Sequence, residues 1–411
     1  MMAFDFAPLI AAGSPPPAVK WKPPGKYNFT FGNNDPDGLA VEDLKASLQA
    51  AVSREGRRLS DYRLHMGPQG YKPLREFLVK KLKRDAAIEC EADDIVLTSG
   101  SLQGLDLING ALLAAGDTVI CEEDCYEGTI NRYGKRGVNV VAIPLDKGGM
   151  RMDALEKALA ELKSRGVRPK YIYTIPTVQN PTATVLDEGR RKKLLELAER
   201  YDVPIFEDDC YADLTWSGER PPAIYAMSKS QNVIHIGSFS KTIAPALRVG
   251  FIVAPWAILS HILALKTDAG SGGLEQMMLA DYCERHFAEH VPQLRKRFKA
   301  KLDTLVAALN EQFGTAAEFD YPPGGIFLWV KLPDTVDAMK LRDKALASGV
   351  VINPGPEWSV NKLHSRSRIR LCFASPTHEE IKEGIAVLAD VCRKEFGVPA
   401  RSANVERRVG A

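Results

Sequence analysis

The sequence predicts an α/β protein: a large unit built on an open, mainly parallel sheet of seven strands, followed by a smaller α+β unit. Three observations carry this expectation. Short runs rich in Val, Ile and aromatic residues alternate with stretches of helical periodicity, as in βα units whose strands are buried on both faces. Small, polar and charged residues gather just after those runs, where open α/β sheets hold their ligands. Beyond about residue 312 the alternation gives way to three apolar runs around one helical stretch.

Along the chain, residues 13–25 (GSPPPAVKWKPPG) are rich in Pro and Gly and read as an extended arm. Buried strands are expected at DIVLTSG (94–100), TVICEED (118–124), VVAIPLD (140–146), KYIYTIP (170–176), VPIFEDD (203–209), VIHIGSF (233–239) and VGFIVA (249–254). The last follows its predecessor after only a short loop, so it is expected to run antiparallel. Helices are expected over 103–115, 152–165 and 187–201, with a long basic amphipathic one near 276–312. FLWVKLP, a helix over 336–348, GVVINPG and RIRLCFA build the small unit. The division expected is an arm and small-domain segment (1–50), a large domain (51–312), a small domain (313–398) and a mobile tail (399–411).

Composition narrows the function. With 411 residues, 45% hydrophobic and 26% charged, the chain has the make-up of a soluble globular protein. A formal charge of +2 gives no reason to expect a nucleic-acid or membrane partner. No apolar run is long enough to span a bilayer, and Asp5 sits where a signal peptide would be positive, so a cytoplasmic protein is expected. The seven cysteines are an odd number and contain no C-x-x-C pair, so neither disulfides nor a metal site is expected.

The chemistry-bearing pieces follow the strands in order. After the first strand come Ser99, Gly100 and Ser101, at a strand-to-helix turn that can offer backbone N–H groups and hydroxyls to a phosphate. After the fourth comes Gln179-Asn180-Pro181-Thr182, and after the fifth Glu207-Asp208-Asp209-Cys210-Tyr211. After the sixth comes Ser238-Phe239-Ser240-Lys241, with Arg248 seven residues beyond the lysine. Each alone has a bland reading: a capped helix, a common turn, a solvated loop, a lysine facing water. Each at the end of its own strand, they point to one site.

These segments resemble the class I/II aminotransferases, pyridoxal-phosphate enzymes of fold type I, and most of all the branch of 2-aminoadipate, kynurenine and aromatic or multi-substrate aminotransferases. The resemblance covers about residues 28–395 and is most specific in SFSKTIAPALRVG (238–250), NPT (180–182), DDCY (208–211) and IRLCFA (369–374). It implies that Lys241 holds pyridoxal 5'-phosphate as a Schiff base and then moves the Cα proton. Asp208 would pair with the pyridine nitrogen, and Tyr211 and Asn180 would bond the ring 3-oxygen. Ser238 and Arg248 would hold the phosphate with Ser99, Gly100 and Ser101, and Tyr126 would stack on the ring. Arg370 would clamp the substrate carboxylate, with Asn180 and Gly32 beside it. Ile369, Leu371 and Phe373 supply one apolar face of that strand, which leaves Arg370 on the other with Cys372. An amino acid and a 2-oxo acid, often 2-oxoglutarate, are the implied substrates, and a homodimer the implied assembly.

The departures are specific. Met66-Gly67-Pro68 replaces Tyr-Gly-Pro, so the tyrosine that crosses the dimer interface is lost or replaced by Tyr62 or His65. Gly32-Asn33-Asn34 stands where a glycine pair is usual and is expected to make the pocket more polar. Cys210 replaces a proline and Cys125 a Thr or Ser; both thiols are expected only to pack. β-Elimination, decarboxylation or oxidation on the same residues are alternatives, because a fold does not fix a reaction. The sensor domain of a transcription regulator is a weaker one, since only a Pro-rich arm precedes the matching region.

Overall fold

The computed structural model describes residues 4–11, 14, 17–21 and 23–399. The tail from 400 on, expected to be mobile, and parts of the Pro-rich arm lie outside them. After the arm come β1 (Tyr27–Asn28), α1 (Val41–Glu55) and α2 (Lys72–Ala86). The central run is β2 (Ile95–Thr98), α3 (Gly100–Leu112), β3 (Thr118–Glu122), α4 (Glu127–Arg136) and β4 (Asn139–Ile143). A small hairpin, β5 (Leu145–Asp146) and β6 (Gly149–Met150), leads to α5 (Met152–Ser164), β7 (Ile172–Thr174), α6 (Glu188–Tyr201) and β8 (Ile205–Asp208). Then come α7 (Ile224–Met227), β9 (Val233–Ser238), β10 (Gly250–Val253), α8 (Trp256–Leu265) and α9 (Gly273–Phe313). The chain closes with β11 (Phe327–Lys331), α10 (Ala338–Ala347), β12 (Val350–Val351), β13 (Asn353–Pro354), β14 (Arg368–Cys372) and α11 (His378–Phe396).

Seven strands make one sheet in the order β2-β10-β9-β8-β7-β3-β4. Only β10 runs antiparallel to its neighbours, as its short connection predicts. Every residue of β3, β7 and β8 is buried, because helices cover both faces of a parallel sheet. β4 lies at the edge and is partly exposed. That two-sided burial is why these strands read as continuous apolar runs rather than as alternation.

Helix ends follow their local chemistry. Asp187 caps α6 by accepting from Arg190 N at 2.8 Å. Thr377 and Glu380 form a reciprocal capping box on α11, and Gly397 closes that helix in the left-handed region. α9 runs for 41 residues and buries one stripe from Gln276 to Phe313. Two of the expected boundaries fall inside helices: residue 50 lies within α1, and residue 312 lies one short of the end of α9.

A three-stranded antiparallel sheet, β11-β14-β13, forms the smaller unit. The N-terminal segment is tied to it: β1 pairs with β12, and Cys372 N donates to Phe29 O at 2.8 Å. Asp35 is buried against α9, accepting from Lys301 Nζ at 2.9 Å and Arg297 Nε at 2.7 Å. Lys301 also donates to Ala374 O at 2.8 Å, just beyond β14. A buried carboxylate with two cationic donors is satisfied, and breaking it would leave a charge unpaired. The stretch from Phe29 to Asp35 is therefore fixed between the two sheets. No helix among the described residues is long and apolar enough to cross a membrane.

Candidate active site

A cavity of about 300 Å³ opens at the C-terminal ends of the parallel strands, between the large sheet, β14 and the N-terminal segment. Lys241 reaches into it from the turn after β9, and its Nζ donates to Gly32 O at 2.7 Å. A Cβ on Gly32 would lie 2.6 Å from that nitrogen and would push the end of the lysine aside. Burial lowers the pKa of Lys241, which favours the neutral, nucleophilic amine.

Asp208 ends β8 with its side chain in the cavity wall. Tyr173, on neighbouring β7, donates to Oδ2 at 2.7 Å. The other oxygen, Oδ1, is buried with no hydrogen-bond partner. Burial raises the carboxyl's pKa, opposed by Tyr173 and by the nearby Cys210 thiol and N–H. An orphaned buried carboxylate oxygen is costly, so this one is expected to meet a donor supplied from the cavity. Asp209, next in sequence, turns away and is held by Arg220.

Asn180 joins two cavity groups. Its Nδ2 donates to Tyr211 Oη at 3.2 Å, and its Oδ1 accepts from Arg370 Nη1 at 3.0 Å. Arg370 Nη2 also donates to Thr30 O at 2.7 Å, while Nε has no partner. The guanidinium lies 3.5 Å from the ring centroid of Trp358, which shields one face of the charge. Arg370 is only 4% exposed, and burial lowers its pKa. Both faces of this strand are buried: β14 is central in its sheet, and Ile369 to Cys372 are all covered.

At the opposite end is a cluster of hydroxyls and one arginine. Ser238 Oγ donates to Ser240 Oγ at 3.0 Å, and Arg248 Nη1 lies 3.4 Å from Ser240 Oγ. Ser101 lines this end too. Ser99 and Gly100, expected beside them, do not line the cavity but back it: Arg248 Nη2 donates to Ser99 O at 3.3 Å. Gly100 has φ +75°, and a Cβ there would meet Arg248 Nη2 at 2.2 Å. These two therefore lie against the arginine's guanidinium.

Tyr126 lines the cavity, with its ring 5.9 Å from that of Trp358. The Asn33-Asn34 expectation is corrected. Asn33 is exposed and outside the cavity wall, and Asn34 Nδ2 donates to Ile243 O at 2.9 Å, tying the N-terminal segment to the lysine turn. Of the two thiols, Cys125 packs in full burial, whereas Cys210 lines the cavity. Sequence reading missed Thr30, Asn353 and Trp358, which belong to no motif; the GPEW stretch after GVVINPG was the only signal for the tryptophan. A larger cavity of about 660 Å³ lies between α2, α9 and the segment 212–220 that follows β8. Several of its charges are already engaged: Arg84 pairs with Asp85, Asp213 with Lys81 and Arg220 with Asp209, and Arg295 Nε donates to the Asp213 backbone oxygen.

Over residues 27–388 the chain matches the family Aminotransferase class I and II. It is similar to aromatic-amino-acid aminotransferase 1 of Thermococcus litoralis, 35% identical over 80% of this chain and 79% of that protein. An uncharacterized HTH-type transcriptional regulator of Bacillus subtilis is 33% identical over 88% of this chain and 74% of its own length. The crystal structure of Pyrococcus horikoshii kynurenine aminotransferase in complex with PMP superposes with a TM-score of 0.83 at 32% identity, covering 90% of this chain and 91% of that one.

Proposed function

The chain belongs to the class I and II aminotransferases and moves an amino group from an α-amino acid to a 2-oxo acid; from that premise, we propose which of its residues do so and with what cofactor. The cofactor is pyridoxal 5'-phosphate. One observation carries this: the buried amine of Lys241, the Asp208 carboxyl with its unpartnered Oδ1, and the serine–arginine cluster at Arg248 line one cavity. A phosphate suits the donors of Ser101, Ser238 and Arg248, and a protonated ring nitrogen suits Asp208.

When bound, pyridoxal phosphate supplies an aldehyde carbon for amino-group capture and a ring that takes up the electron pair left at Cα. Lys241 provides the covalent link and then, as a free amine, takes the Cα proton. Asp208 holds a proton on the ring nitrogen by staying ionised beside it. Tyr211 and Asn180 donate to the ring 3-oxygen, and Tyr126 covers the ring face. Arg370 receives the substrate carboxylate on its open donors, Nε among them, with Trp358 keeping water off its flank. We take 2-oxoglutarate as the acceptor, the cytoplasm as the location and a homodimer as the assembly. Tyr62 is 87% exposed and His65 is exposed, which leaves both free to reach a second subunit.

The test is spectral. Adding an amino acid alone to the holoenzyme should convert the bound cofactor to its amine form, and adding a 2-oxo acid should return it. β-Elimination, decarboxylation or oxidation would not give that reversible pair of changes. Binding of amino acid without turnover would point instead to a sensing module.

A further inference from the structure

Behind the cavity wall lies a carboxylate to which the roles above give no part. Glu122 ends β3 and is 2% exposed. Thr174 Oγ1 donates to its Oε1 at 2.6 Å, and its Oε2 accepts from Ile175 N at 3.3 Å and Gln179 Nε2 at 3.1 Å. Gln179 Nε2 also donates to Asp124 O at 2.7 Å, and its Oε1 accepts from Thr182 N at 2.8 Å and Thr182 Oγ1 at 2.7 Å. Both ends of one amide are thus engaged. One end is anchored to β3, and the other folds the turn that carries Asn180.

That turn needs an anchor. Val178 and Ala183, on either side of it, hold φ of +56° and +59°, values that residues with a Cβ rarely adopt unless their surroundings impose them. A buried carboxylate is itself an expensive way to fill a strand end. Burial pushes the Glu122 carboxyl up to about 7 despite its three donors, with Asp208 adding to the rise.

We infer that Glu122 is a positioning residue: by gripping Gln179 it fixes the turn that aims Asn180 at Tyr211, Arg370 and the cofactor 3-oxygen. The last of these contacts rests on the cofactor reading above; the grip on the turn does not.

Two measurements on Glu122→Gln separate the parts. In the cofactor-free protein above pH 7, where Glu122 is ionised, amide hydrogen exchange over residues 178–184 should quicken at least tenfold, because an amide NH₂ now faces one of the three donors. Unchanged protection overturns the inference whatever the cofactor. In the holoenzyme, the absorbance titration of the lysine-bound cofactor should move upward in pH by up to about one unit, as expected when an ionised oxygen loses a donor. Asn180→Ala should move it the same way, and the double variant should titrate like Asn180→Ala alone. Additive shifts, or a Glu122→Gln midpoint equal to wild type where Asn180→Ala shifts, would sink the positioning role. If wild type shows no titrating band, the cofactor reading has failed, and the exchange measurement still decides the grip. Gln179→Ala, which leaves Glu122 in place, must repeat both results if Glu122→Gln does not fold; wild-type exchange or a wild-type midpoint in that variant overturns the inference.

Discussion

Replacing Asp208 by Asn tests the site at its most informative atom. Oδ2 is committed to Tyr173 at 2.7 Å, and Oδ1 is buried with no partner. An asparagine that keeps its oxygen toward Tyr173 turns an NH₂ toward the cavity, where the ring nitrogen's proton is expected, so two donors face each other. The flipped amide offers the ring only a neutral oxygen. Two opposite charges about 2.8 Å apart attract by about 6 kcal/mol at an effective dielectric of about 20. A neutral hydrogen bond recovers about half of that, leaving a loss of about 3 kcal/mol, or roughly 10²-fold in kcat. The expected outcome is stoichiometric cofactor with kcat lowered by about 10²- to 10³-fold, read by single-turnover spectroscopy with an amino acid. Asp209→Asn should instead lower thermal stability with little change in kcat, since it breaks the buried pair with Arg220. A kcat for Asp208→Asn within a few-fold of wild type, or a larger loss from Asp209→Asn, would refute the assignment.

Other expectations follow from the same geometry. Lys241→Ala should abolish both the covalent cofactor band and turnover, because Lys241 is the lysine lining the cavity; substantial transamination by this variant would remove the central assignment. Arg370→Lys keeps the charge but loses the forked donors, so kcat/KM for the amino acid should fall about 10- to 100-fold, mainly through KM; an unchanged KM would argue against a carboxylate at Arg370. Glu122 has its folded pKa raised from 4.5 to about 7, so the native state binds the proton more tightly than the unfolded chain. Its contribution is therefore full below about 4.5 and lost as pH rises through about 7. Thermal melts should show wild type losing stability relative to Glu122→Gln across that window, and parallel curves would refute it. Light scattering should give a dimer, and Tyr62→Phe or His65→Ala should weaken cofactor affinity; an active monomer would refute a shared site.

What the sequence determined by itself is local. Seven apolar runs became seven strands because a strand buried on both faces must be apolar throughout, and period and composition are readable within a few residues. The antiparallel β10 was legible from the shortness of its connection. Lys241, Asp208, Asn180 and Tyr211 were legible as residues of one cavity because polar groups follow successive strands of one sheet, and Arg370, in the middle of β14, because its motif resembles a known family's.

Tertiary structure decided everything that depends on which distant residues meet. Trp358 stacks on Arg370, Thr30 O accepts from it, and Asn34 holds the lysine turn, contacts that nothing in their own neighbourhoods of the chain specifies. That Ser99 and Gly100 lie against Arg248 depends on a contact between segments some 150 residues apart. The resemblance and the spacing to Tyr211 named Asp208 rather than Asp209, but they give no physical reason for the division of labour between these two carboxylates. It follows from the strand's alternation, which turns one carboxylate to Tyr173 and the cavity and the other to Arg220. Propensity and periodicity act through neighbours in sequence, whereas a site's electrostatics are set by burial and by partners that only the folded chain brings together.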